Sequence, residues 1–205
     1  MSPGEVAEHA AGILDEILTP DLTFKTQACR MLFEAWHAWR SESLLPKHTD
    51  VDPNELKSVL PQIGILEIRA RDSAVFRLAG SGLRDIVGFD LTGRDTIALS
   101  PPQYRRQRAY RLYTPAVWPC AYHGESRYTY STDSTDVCES VGLPLEPDSP
   151  EIHGMIIFAL DSILGRRWRN VPAPLIDTTS DVFRFVDVGA GIPASIDPPD
   201  DFLVE

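Results

Sequence analysis

Residues Phe76 to Asp95 read FRLAGSGLRDIVGFDLTGRD, and the interpretation of this stretch decides the fold. A short apolar run enters a Gly-Ser-Gly turn, then a brief helical pattern, then Leu91-Thr92-Gly93-Arg94. A phosphate cradle and a plain strand-to-helix bend share this outline. The dinucleotide fingerprint G-x-G-x-x-G/A needs a small third residue, so that the helix lies close to the strand. Here that position is Asp85, whose carboxylate would oppose a pyrophosphate at the helix N-terminus. No Lys-Ser or Lys-Thr follows to make a P-loop. Spacing and charge both reject the cradle, and Gly80 and Gly82 read as backbone residues of a sharp bend.

Upstream, Ser2-Pro3-Gly4-Glu5 has capping-box spacing with Pro at the first helical position. Val6, Ala10, Ile13, Leu14 and Ile17 then share a helical face until Thr19-Pro20. Asp21 is placed to cap a second amphipathic helix carrying Phe24, Ala28, Met31, Leu32, Ala35, Trp36 and Trp39. Asp52-Pro53-Asn54-Glu55 predicts a short helix through Leu60. Ile63–Ile68 and Val75–Leu78, joined by Arg71-Asp72-Ser73, form a hairpin.

A short helix is expected over Leu83–Val87, stopped by Gly88, and a longer one over Pro102–Tyr113. Strands are expected at Ala116–His123, Val137–Leu145 and His153–Leu160. Val182–Val186 reads as one added strand in an otherwise tail-like end. Strands grouped around a block of helices do not make the alternating pattern of a parallel sheet. The class is α+β with an antiparallel sheet.

Composition sets bounds. The 205 residues can bury a full core, and no apolar run approaches the ~20 residues of a membrane span. The N-terminus is acidic, with no basic region before an apolar one, which excludes a signal peptide. Cys29, Cys120 and Cys138 are odd in number and lack CxxC spacing, as reduced thiols of a cytoplasmic protein would. The net charge of −11 lies at the ends: residues 1–24 hold five acids and no base, and residues 170–205 hold seven acids against Arg184. Between them the charges balance, at eighteen of each sign. Such acidity disfavours nucleic-acid binding.

Several short motifs occur in a telling order. They are Trp39-Arg40, Leu45-Pro46, Asp52-Pro53-Asn54-Glu55-Leu56 and Leu60-Pro61, then Phe76–Leu83, Leu91-Thr92-Gly93-Arg94, and Cys138-Glu139 through Leu143-Pro144-Leu145. Over about Leu32 to Leu160 the chain resembles a bacterial subgroup of PAS-domain proteins in which that domain is nearly the whole chain. The resemblance implies a five-stranded antiparallel sheet with short helices on one face, enclosing a small pocket. It also implies sensory or signalling activity and dimerisation through helices that flank the core. Members of the subgroup usually carry no kinase or cyclase, and this chain leaves no room for one. The expected organisation is N-terminal helices at 1–45, a PAS-like domain at 46–165, and an acidic, Pro-rich extension at 166–205.

Many PAS domains hold haem, flavin or a metabolite. A flavin photosensor needs a cysteine in a Gly-Arg-Asn-Cys helix, and here Gly93-Arg94-Asp95-Thr96 puts threonine at that place. A haem sensor takes an axial histidine from the long helix, and Pro102–Tyr113 has none. His123 and His153 lie in the predicted strands and read as satisfied or solvent-exposed histidines, ahead of the alternative that they are ligands by another route. Cys120 and His123 are three apart in a strand-like run, which points them to opposite faces and argues against a shared metal or a Cys-His pair. The sequence therefore assigns no cofactor, no metal and no catalytic residue.

Tyr104, Trp118, Cys120, Tyr122, His153 and Met155 are the ligand-pocket candidates, since the last five fall on alternating strand faces. Arg105, Arg106, Arg108 and Arg111 give the long helix four positive charges and no acid. They read as a solvated face, or as a docking patch for an acidic partner or anionic ligand. Arg105, Arg108 and Arg111, with Arg167 and Trp168 after the last strand, are the interaction candidates.

The resulting reading is a cytoplasmic sensory module that is not an enzyme and acts through an unidentified signalling partner, gated by a small ligand. The alternative is a small-molecule-binding protein or enzyme using the same pocket. The expected assembly is a homodimer with residues 1–40 forming much of the interface, because amphipathic helices of this length need a partner surface. Neither nucleic acid nor membrane is expected as a partner. Purified protein should show no visible absorption band; a band at near-equimolar occupancy would establish haem or flavin instead.

Overall fold

The computed structural model describes residues 22–165 and 175–202. Helix α1 spans Gln27–Arg40 and precedes the hairpin of β1 (Ile63–Ala70) and β2 (Ser73–Ala79). Helices α2 (Ser81–Val87) and α3 (Pro102–Val117) follow. The chain then forms β3 (Ala121–Tyr130), β4 (Thr135–Leu145), β5 (Gly154–Ser162) and β6 (Leu175–Val186). All strands join one antiparallel sheet in the order β2-β1-β5-β4-β3-β6.

The expected α+β class and antiparallel sheet are present, but the sheet has six strands rather than five. The added strand is the one anticipated at Val182–Val186, extended back to Leu175 because it pairs along the length of β3. Residues 187–202 are not a free tail either. Val188 and Phe202 are buried, and Arg40 Nη1 donates to Val188 O at 2.6 Å.

Helices cover both faces of the sheet, not one. Side chains alternate along each strand, so Val141, Leu143, Met155 and Ile157 face α1, while Ile156 and Phe158 face α3. Ala28, Leu32, Phe33 and Trp36 of α1 are buried against the first set, and Trp36 Nε1 donates to Pro144 O at 2.8 Å. The apolar stripe of this helix is thus spent inside its own chain, which removes it from the interface expected over residues 1–40. The first predicted helix, with Val6, Ile13, Leu14 and Ile17, lies outside the described residues, as does Asp21.

The N-cap of α1 is Thr26, not Asp21. A buried acid on β4 holds it in place. Glu139 is 0% exposed, and its Oε2 accepts from Thr26 N at 2.7 Å and Thr26 Oγ1 at 2.8 Å. Its Oε1 accepts from Lys25 N at 3.0 Å and lies 2.8 Å from His123 Nε2. Burial pushes the Glu139 carboxyl up, but the hydrogen bonds from His123, Lys25 N and Thr26 outweigh it and hold the pKa at about 2. His123 is therefore a core histidine on the α1 face, paired with Glu139 through Nε2, while its buried Nδ1 has no hydrogen-bond partner among the described residues. Cys120 packs in the opposite cluster, as the odd spacing requires.

Three local expectations need correction. Residues 53–59 form successive turns rather than a helix, because Glu55 turns away from the cap to accept from Trp39 Nε1 at 2.7 Å. A 3-10 turn at Leu60–Gln62 then leads into β1. Helix α3 continues through Pro115 to Val117, since Thr114 and Pro115 are buried in the core; β3 accordingly starts at Ala121 instead of Ala116. Packing there outweighs the hydrogen bond that proline removes.

The Gly-Ser-Gly stretch behaves as the bend. Gly80 is the N-cap of α2, and Gly88 closes that helix at φ 88°. Both Gly80 and Gly82 press on the carbonyl of Pro61: an added Cβ would fall 2.4 Å and 2.8 Å from its oxygen. Close backbone approach, not a left-handed φ, is the reason for glycine here.

Two outcomes follow from these contacts. Gly82→Ala should cost about 1–3 kcal/mol in urea unfolding, because backbone rather than a flexible side chain must move; unchanged stability would contradict the contact. Glu139→Gln should be less stable than the parent by about 3 kcal/mol at neutral pH, from a shift between 4.5 and about 2. A depressed carboxylate stabilises above its unfolded pKa. The gap between parent and variant should therefore be full above pH 4.5 and shrink as pH falls toward 2. A gap independent of pH would show that the charge is not what matters.

Candidate functional site: a cavity on the α3 face

Strand β2 lies at one edge of the sheet and β3 near the other, so the chain must cross a whole face between them. The crossing, residues 80–120, is built from α2, a loop and α3. It roofs the sheet without filling the space beneath. A cavity of about 570 Å³ remains.

Its walls differ from one end to the other. At the β1, β2 and β5 end it is lined by Leu66, Phe76 and Phe158, with Leu83 and Leu91 above. At the β3, β4 and β6 end it is lined by Tyr122, Ser126, Tyr128, Ser140 and Thr179. The roof supplies Thr96, Tyr104, Arg108 and Arg111.

The sheet is shaped for this. A Cβ at Gly142 would meet the Tyr122 ring, and one at Gly64 would meet the Phe158 ring at 2.4 Å. Glycine on the neighbouring strand lets each ring lie flat on the sheet, leaving the room above it open.

Arg108 Nη1 donates to Thr96 Oγ1 at a long 3.4 Å. The Arg111 guanidinium lies 4.1 Å from the centre of the Phe183 ring and donates to Ser180 Oγ at 3.2 Å and Ile196 O at 3.5 Å. Burial lowers the Arg111 pKa; Asp197 opposes that shift and Arg108 adds to it. Burial raises Tyr122 and Tyr128 far above the ordinary phenol range, with Arg108 pulling against it in both. Both hydroxyls stay protonated and can donate.

Of the pocket candidates, the structure brings Tyr104 and Tyr122 to the cavity. Trp118 caps α3 at 46% exposure and donates from Nε1 to Ala190 O at 2.9 Å. Cys120 is buried beside the cavity without lining it, its thiol pushed up to about 12 by burial. His153 is exposed ahead of β5, with Nδ1 3.2 Å from Tyr113 OH, and Met155 is buried on the α1 face. Strand β3 starts later than expected, so Trp118 and Cys120 precede it; His153 precedes β5, and Met155 is on the strand's opposite face. Sequence reading also missed Ser126 and Tyr128, which continue the alternation of Tyr122 beyond the expected strand end.

The arginines of α3 are not a solvated face. Arg105 clasps the carbonyls of Ser100 and Ala98, and Arg106 those of Phe202 and Pro199. Arg108 and Arg111 turn to the cavity. Arg167 and Trp168 lie outside the described residues. Among the described residues, no group of three His, Cys, Asp or Glu forms a metal site, and no helix is long and apolar enough to cross a membrane.

With this geometry in view, the family model of the PAS domain matches residues 24–118. That part of the chain is similar to a PAS domain. The match takes in α1, the β1–β2 hairpin and the whole roof of the cavity, and ends before β3. No curated protein matches the chain.

Proposed function

We propose that the chain is a sensory module whose cavity takes a small molecule and whose occupancy is passed to a signalling partner through α3 and the C-terminal segment. The observation that carries this reading is Arg111. Its guanidinium borders the cavity, covers Phe183 of β6 and reaches the carbonyl of Ile196. The next helical turns tie the same segment down, through Tyr110 OH to Ser195 O at 3.1 Å and Arg106 to Phe202 O at 3.0 Å. A displacement of α3 by a ligand would be felt directly at residues 195–202.

Volume and lining are those of a small-molecule site, mostly apolar with a few convergent polar groups. A cytoplasmic location accords with the three free, buried cysteines. Self-association belongs to this reading through residues 1–20, whose apolar stripe is separate from that of α1.

Ser140→Phe would fill the cavity from β4 and imitate a bound ligand. Amide hydrogen exchange over residues 195–202 should change several-fold in this variant, while exchange in α1 stays as in the parent. Unchanged exchange at 195–202 in a folded variant would sink the proposed route.

A further inference from the structure

We infer that the ligand is an amphipathic organic anion, an aryl- or alkyl-carboxylate, with its acid group at Arg108 and its apolar body over β5 and β1. This rests on the cavity being a ligand site, and adds the chemical class.

The arginines are the first argument. Arg105 and Arg106 each donate from Nε and Nη2 to two backbone carbonyls. Arg108 does not: among the described residues its hydrogen-bond partner is the Thr96 hydroxyl at 3.4 Å. Neither Arg108 nor Arg111 forms a salt bridge among the described residues, although other arginines, such as Arg69, Arg77 and Arg127, do. Asp177 on β6 is the one acid among the lining residues, and Asp197 outside the lining supports the charge of Arg111. Guanidinium stays protonated, so the partly buried Arg108 is best compensated by an anion from outside. Its planar fork can grip one carboxylate with two hydrogen bonds. The Tyr122 and Tyr128 hydroxyls, held protonated, are further donors on the same side.

The walls supply the rest. Apolar lining lies at β1 and β5, and polar lining at β4 and β3. Strands stand about 4.8 Å apart, so the distance is roughly 10 Å from β5 to β3 and about 14 Å from β1 to β3. A ligand of that length needs an apolar body and one acidic end. Dianions and polar sugars would bury charge or hydroxyls against Phe76 and Phe158.

Calorimetric titration of the full chain with 4-phenylbutyrate and with its neutral isostere, 4-phenylbutyramide, tests the assignment. The acid should bind at least ten-fold more tightly than the amide. Arg108→Gln should abolish that preference, and a far-ultraviolet circular dichroism spectrum like the parent's should report that the variant is folded. Arg108→Lys should keep part of the preference, and Arg84→Gln, an exposed charge outside the cavity, should keep all of it. Equal affinities in the parent, or a preference that survives Arg108→Gln, would overturn the anion assignment. Failure of both compounds to bind would overturn it too, and the exchange behaviour of Ser140→Phe would still decide the signalling reading separately.

Discussion

A single buried carboxylate sets the frame of this molecule. Glu139 sits on a central part of β4 with no exposure to solvent, and it takes hydrogen bonds from the backbone of Lys25 and Thr26 and from the Thr26 hydroxyl. A buried charge is tolerated only when its lone pairs are filled, so the chain entering α1 has one place to start. From that fixed point Trp36 meets the carbonyl of Pro144, and Arg40 meets that of Val188. The interaction therefore ties the first described helix, the middle of the sheet and the segment after β6 into one body.

The two faces of the sheet are filled differently as a consequence. On one side a regular helix packs on the sheet and its apolar stripe closes the core. On the other side the chain must travel from one edge of the sheet toward the other with a short helix, a loop and a long helix. A roof made of unlike pieces cannot match a twisted sheet everywhere, and the mismatch is the cavity. Its aromatic floor is kept low by glycines on adjacent strands, and the space is thereby conserved rather than collapsed.

Helix α3 has four arginines within seven residues, and tertiary contacts give them different tasks. Two anchor loops through backbone carbonyls, and two border the cavity. Arg111 does both, which makes the helix a mechanical link between an internal space and an external segment. Little in the sequence separates these residues, since what distinguishes them is which partner lies opposite.

What the sequence by itself determined is local. The strand-like runs Ile63–Ile68 and Val75–Leu78 with the turn between them specified the hairpin, Gly88 specified the end of α2, and Asp85 excluded the phosphate cradle. Such features depend on neighbours a few residues away, where turn chemistry and side-chain period act directly. The order of motifs also carried the PAS resemblance. The tertiary structure alone decided which face each element covers. Nothing near α1 in sequence reveals that Glu139, more than a hundred residues later, holds its N-cap residue Thr26. Pro115 stays helical because the core encloses it, and this moved β3 and with it the expected pocket from Trp118 and Cys120 to Ser126 and Tyr128. A strand shifted along its own sequence exchanges the residues that reach a site, and only the packed sheet fixes where that strand begins.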